Sequence, residues 1–321
     1  MNEVDIDNAS IFVSIAAYRD KDTRNTVNDL FAKAKNKNRI FVGILSQIDP
    51  QTDVECIVGE RTNVREMIVN AKDSKGCGWA RSEILTKIKK DEEFVLQIDA
   101  HTRFDTNWDI TILEQYKMCP NKLCVISSYP PAFELGKALD TKEKYVYMKF
   151  RDFHVSGLPV FLADIGTNPK TVDKPRRTPA LSAGCMFAPS KVFDIVPYDP
   201  HLYFFGEELS LAIRLYTNGI NCYTPTRTFL YHLYYDANKD KKNLHWNDNK
   251  IIIDDNIKRT KYIIGMIDNC PAKESTDIEK YSVGKVRTIK DWENFAGVDL
   301  KTSKLTDMAK SGQYHTLSCN N

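Results

Sequence analysis

Two apolar runs near the start of the chain, Ile11–Ala16 and Arg39–Ser46, flank one stretch with helical apolar spacing through Leu30, Phe31 and Ala32. Strand, helix and strand in that order make a βαβ crossover, which predicts a parallel sheet. Ligands of such sheets bind beyond the carboxyl ends of the strands. Asn63–Asn70 supplies a third, weaker strand signal. At 321 residues the chain exceeds the usual size of one domain, so one core with additions is expected. Its 42% apolar and 27% charged residues are enough for a sizeable core without disulfides or a structural metal.

Further along, the glycines of Gly76–Arg81 mark a turn leading into a helix over Ser82–Lys90, with Ser82 near its start. Glu93–Ile98 reads as a buried strand that runs directly into Asp99-Ala100-His101. Thr106–Met118 should be helical, and Leu123–Ser128 should form a strand stopped by Pro130 and Pro131. Residues 132–180, with Gly157 and four prolines from Pro159 to Pro179, suggest surface loops more than regular structure. Leu181–Ala188 reads as a strand, Phe205–Tyr216 as a helix closed by Asn218-Gly219, and Phe229–Tyr235 as strand-like. A polar link, Asp236–Asp255, should lead into a helix over Asn256–Ile267, followed by a small appendage at 281–300 and a flexible tail at 301–321.

The formal charge is +2, from 45 basic and 43 acidic residues, so no global field draws the chain to nucleic acid or anionic lipid. No run of 18 apolar residues offers a membrane span. The first ten residues resemble neither a secretory signal nor a transit peptide. Eight scattered cysteines, none in a Cys-x-x-Cys pair, then read as reduced thiols, and the expected location is cytoplasmic.

Asp99 and His101, two apart at a strand's carboxyl end, can face one divalent ion, and the Asp/His pairing suits Mn²⁺ better than Ca²⁺. Such an ion stabilises a departing phosphate as a Lewis acid. Trp108 suits either a wall beside a sugar or the core. Glu207 and Glu208, adjacent at a glycine turn, can bind sugar hydroxyls or stabilise a helix N-terminus. By itself His232, in an apolar run, reads as a core histidine. Arg19 and Arg81 lie just past strand or loop junctions, placed either for a diphosphate or for surface ion pairs.

Taken in order, Ser14–Asp20, Gly43–Gln47, Ala80-Arg81, Gln97–Phe104 with Trp108-Asp109, and Phe205–Ser210 with Arg214 and Gly219 resemble the eukaryotic GlcNAc-transferase family. That family includes a cytoplasmic enzyme that attaches GlcNAc to hydroxyproline on a ubiquitin-ligase adaptor. Tyr281–Leu300 resembles the family's end, and the layout is similar to that of polypeptide GalNAc transferases. The resemblance implies a GT-A glycosyltransferase fold: a Rossmann-like, mixed, mainly parallel α/β sheet flanked by helices, with a small C-terminal helical appendage. Residues 1–235 would be the catalytic domain, with a nucleotide-sugar half at 11–105 and an acceptor half at 106–235, and 236–300 a C-terminal extension.

Carried over by residue, the resemblance implies Asp99, His101 and His232 as ligands of Mn²⁺ or another divalent metal, with His245 competing for the third place. Ser14, Tyr18, Arg19, Arg81, Asp99, Ala100 and Gly184 would contact the donor, UDP-GlcNAc. Glu207 and Glu208 would touch the sugar, with Trp108 beside them. Together with Asp99, these two acids are the candidate catalytic groups. The implied reaction retains configuration and passes GlcNAc to a hydroxyl of hydroxyproline, serine or threonine on a protein, or of a glycan. Other readings of the same residues are transfer of another UDP-sugar, a metal-dependent UDP-sugar hydrolase, and an inactive sugar-binding scaffold.

Overall fold

Strand β1 (Ile11–Tyr18), helix α1 (Thr23–Lys33) and strand β2 (Ile40–Ile48) form the expected parallel crossover, and β3 (Val64–Asn70) pairs parallel with β2. In the computed structural model, residues 8–140, 145–166, 173–234, 250–270 and 275–314 are described, the backbone alone at 250–253. Helix α2 (Cys77–Glu83) continues into a π-helical turn at Ile84–Ile88. Then follow β4 (Phe94–Asp99), β5 (Thr102–Phe104), α3 (Trp108–Met118) and β6 (Cys124–Ser127). An antiparallel hairpin, β7 (Tyr145–Phe153) and β8 (Pro159–Gly166), precedes β9 (Arg176–Thr178), β10 (Cys185–Pro189), α4 (Lys191–Ile195) and α5 (Glu207–Thr217). After β11 (Asn221–Thr224) and β12 (Leu230–His232) come α6 (Lys250–Ile263), α7 (Ile289–Ala296), β13 (Val298–Asp299), β14 (Lys304–Leu305) and α8 (Asp307–Ser311).

Eight strands make one sheet in the order β3-β2-β1-β4-β10-β6-β11-β9. Only β10 and β9 run against the others, so the sheet is mixed and mainly parallel. Alternation along β1 explains why both faces are covered. Ile11, Val13 and Ile15 pack with Val27 and Leu30 of α1, whereas Phe12 packs with Ala80 and Ile84 on the opposite face. A third core joins Phe150 and Leu158 of the hairpin and Leu209 and Ile213 of α5 to Ile263, Trp292, Phe295 and Tyr314.

The structure corrects several sequence expectations. The helix after the glycine turn begins at Cys77 and not near Ser82, because Gly76 takes φ 93° and the Cys77 N–H donates to the Tyr203 carbonyl at 2.8 Å. Arg81 therefore sits on a helix and not in a loop. Between 132 and 180, the described chain holds the β7–β8 hairpin and β9 in place of irregular loops, since Tyr145, Val146, Met148 and Phe150 bury themselves despite the neighbouring prolines. The strand expected from Leu181 begins at Cys185, after a turn, and the helix expected from Asn256 begins at Lys250. Up to Tyr314 the expected tail is folded: β14 and α8 form, and Tyr314 is buried against Phe150 and Phe295. Residues 235–249, with His245, and 315–321 lie outside the described residues. No described helix is long and apolar enough to cross a membrane, and Cys56, Cys77, Cys119, Cys124, Cys185 and Cys222 are free thiols.

Candidate active site and metal centre

Asp99 is the last residue of β4, held in register opposite Ala16 of β1. The chain then turns through Ala100 and His101 into β5. Strand β12 pairs antiparallel with β5, with His232 opposite Thr102, and the Leu233 N–H donates to the His101 carbonyl at 3.1 Å. This pairing brings the two imidazoles together from 131 residues apart in sequence, with ring centroids 4.6 Å apart. One ligand atom each from Asp99, His101 and His232 lies within 4.8 Å of the others. His232 Nε2 is 3.0 Å from Asp99 Oδ2, and His101 Nδ1 is 2.7 Å from Asp20 Oδ2. Burial alone would raise the Asp99 carboxyl, but the His232 hydrogen bond and the neighbouring positive charges hold it well below the usual carboxylate range.

Beside this cluster lies a cavity of about 250 Å³. Its polar lining includes Arg81, Asp99, Tyr129, Glu207, Glu208 and His232; its apolar lining includes Leu158, Val160 and Phe161 around the start of β8, with Phe204 and Phe205. Arg81 projects from α2, is nearly fully buried, and pairs with Glu207 while its other terminal nitrogen lies 3.5 Å from Asp99 Oδ1. Glu207 also accepts from the Cys77 thiol at 3.1 Å, so its two oxygens are engaged. Glu208 accepts from the Tyr129 hydroxyl at 2.9 Å and the Ala183 N–H at 2.7 Å. Burial, reinforced by the charge of Glu207, pushes the Glu208 carboxyl up to about 7. Gly184 is a close-approach glycine: a Cβ there would stand 2.9 Å from Asp99 Oδ2.

The profile of the family described as Glycosyltransferase (GlcNAc) matches residues 10–63 and 52–302. This chain belongs to that family. No curated protein matches it. Among solved structures, GalNAc-T7 with UDP, GalNAc and Mn²⁺ is similar at a TM-score of 0.58 with 12% identity, covering 89% of this chain and 56% of that chain. The match thus spans little more than half of the GalNAc-T7 chain. The structure of S. aureus TarS 1-349 in complex with UDP-GlcNAc gives a TM-score of 0.48 with 13% identity, covering 85% of this chain and 71% of that one. The sheet and its helices are those of a GT-A glycosyltransferase.

The fold brings Asp99, His101, His232, Arg81, Gly184, Glu207 and Glu208 into one neighbourhood. It does not bring Trp108 there. That indole is fully buried, its Nε1 donates to the Leu30 carbonyl at 2.9 Å and its ring packs on Phe104, so Trp108 is a core residue and not part of a sugar wall. Arg19 pairs with Asp53 at 2.7 Å, and neither it nor Ser14, Tyr18 or Ala100 lines the described cavity. Ser14 is buried mid-strand between Gly43 and Gln97, Tyr18 is a half-buried strand end, and buried Ala100 accepts from Thr26 Oγ1 through its carbonyl. Sequence reasoning passes over Asp20, Tyr129 and the hairpin wall. Tyr129 lies just beyond the carboxyl end of β6, where the strand-end rule points; the hairpin carries no comparable signal.

Proposed function

We propose that this chain transfers GlcNAc from UDP-GlcNAc to a hydroxyl acceptor with retention of configuration, using Mn²⁺ or a similar divalent ion. The observation that carries the reading is the convergence of Asp99, His101 and His232 at the end of β4, beside a cavity that also holds Arg81 and Glu208. Two imidazole nitrogens and one carboxylate oxygen make a donor set suited to a borderline divalent ion. The fit is supported by His232 Nε2, which stands 3.0 Å from Asp99 Oδ2, and by the low proton affinity of Asp99. Such an ion, when bound, acts as a Lewis acid toward the phosphates of the departing UDP.

The chain's own residues do the rest. Arg81, held rigidly by Glu207, places a second fixed positive charge beside Asp99, where negative charge develops as UDP departs. Gly184 leaves room against Asp99 for the donor. Glu208 and Tyr129 face the cavity as a hydrogen-bonding pair for sugar hydroxyls. The apolar wall formed by Leu158, Val160 and Phe161 helps to exclude water from the reaction. The acceptor attacks on the same face that UDP leaves. As the bond from the anomeric carbon to UDP breaks, the bond to the acceptor oxygen forms, and the acceptor proton passes to the β-phosphate. No side-chain nucleophile is needed. Both acids are engaged, Glu207 by Arg81 and Cys77 and Glu208 by Tyr129 and the Ala183 N–H, which disfavours either as the nucleophile of a double-displacement route. A sugar trapped covalently on Glu208 would overturn front-face attack.

The acceptor is a hydroxyl of hydroxyproline, serine or threonine on a protein, or of a glycan, and the free thiols support a cytoplasmic setting. The test incubates the protein with Mn²⁺, a panel of UDP-sugars, and peptide and glycan acceptors, and reads products by mass. Metal-dependent transfer from UDP-GlcNAc is expected, lost in Asp99→Ala and His101→Ala while circular dichroism stays native. Unchanged turnover in those variants sinks the reading.

A further inference from the structure

Just before α1 the chain reverses sharply. Arg19 takes φ 50°, in the left-handed region, and its guanidinium is occupied by Asp53. The residue that follows, Asp20, is brought to His101, 81 positions away. One carboxylate oxygen, Oδ1, accepts the Asp22 N–H at 2.8 Å, and Thr23 Oγ1 donates to the Asp20 carbonyl at 2.9 Å. The aspartate is thereby clamped by its own turn. The other oxygen, Oδ2, lies 2.7 Å from His101 Nδ1, with both side chains about one-fifth exposed.

A carboxylate can only accept in this contact, so Nδ1 carries the proton and the lone pair of neutral His101 lies at Nε2. That is the nitrogen left for a cation. His232 is held differently: its Nδ1 is buried without a partner, and its ring rests on Tyr234 at a centroid distance of 4.3 Å. The two candidate histidine ligands are therefore unequal: the carboxylate on His101 Nδ1 is that of Asp20, outside the ligand set, whereas the one beside His232 Nε2 is that of Asp99, itself a candidate ligand.

We propose that Asp20 is a positioning residue of the metal centre, which sets the His101 tautomer and ring orientation. The proposal rests on the metal reading above. Carboxylates that hold a ligating histidine in this way tune metal affinity without touching the ion. Asp20 touches neither donor nor acceptor in this role; it acts through His101.

The test titrates Mn²⁺ into the 321-residue chain after chelator treatment, without nucleotide, and reads free Mn²⁺ by electron paramagnetic resonance. Asp20→Asn should weaken Mn²⁺ binding by about 10- to 100-fold while thermal unfolding of the metal-free protein stays near that of the parent. In the metal-free parent, long-range ¹⁵N–¹H correlations should show His101 protonated at Nδ1. If Asp99→Ala abolishes Mn²⁺ binding and Asp20→Asn leaves it unchanged, the role of Asp20 is refuted and the metal centre stands. If the parent binds no Mn²⁺ or other divalent ion, both readings fall. Should Asp20→Asn not fold, the tautomer decides, and protonation at Nε2 refutes the proposal.

Discussion

Glu207 and Glu208 are adjacent and chemically alike, yet the first turn of α5 sends them to different partners. Glu207 meets a buried guanidinium and a thiol, while Glu208 meets a phenol and a backbone N–H. Glu208 is pushed from its ordinary 4.5 up to about 7, first by burial and also by the charge of Glu207, against the pull of its two hydrogen bonds. Between those two values the folded chain keeps a proton that the unfolded chain has released. Stability should therefore fall as pH rises from about 4.5 to 7 and then level off. Glu208→Gln should flatten that slope in urea unfolding measured across the window; an unchanged slope would mean that the carboxyl titrates normally. Sequence alone could place both acids at the helix start but could not divide their work. The division depends on Arg81, Cys77 and Tyr129, which arrive from distant segments.

At the scale of elements, α3 shows how a sequence cue can point the wrong way. Asp99, Arg103 and Trp108 follow one another closely, but β5 and the turn after it swing Trp108 behind the sheet, where it packs on Phe104 and binds Leu30. Trp108→Ala should cost about 3–5 kcal/mol in chemical denaturation, as a large core truncation does. The donor KM of the fraction that remains folded should not change. A raised KM with unchanged stability would return Trp108 to the sugar site. The apolar strands β1, β2 and β4 are legible because each is a short hydrophobic run ending at a polar turn. The β7–β8 hairpin is not, since its charged positions and bracketing prolines conceal the buried alternation of Val146, Met148 and Phe150. The Asp99–His101 pair is visible as spacing, whereas His232, a core histidine by its own run, enters the sequence reading only through the family resemblance, and the β5–β12 pairing is what carries it to Asp99.

Across the whole molecule, the described C-terminal elements pack against the elements that line the cavity. Trp292 of α7 donates to the Pro179 carbonyl, and α7 shares a core with α5 and the hairpin that lines the cavity. Arg259 of α6 makes two hydrogen bonds to Asp199, at 2.8 and 3.1 Å, with both side chains fully buried. Arg259→Ala would leave that buried carboxylate without its paired cation and should cost about 3–5 kcal/mol, seen as a lower urea midpoint; a cost below 1 kcal/mol would show that the pair contributes little. The position of β10 also bears on how the chain is made. This strand lies between β4 and β6 but is encoded well after both, so the edge of β4 stays unpaired until the ribosome has passed Pro189. At usual elongation rates that interval is on the order of ten seconds. During it a hydrophobic strand tipped by Asp99 is open to any neighbouring chain, and the nascent protein depends on whatever shields it.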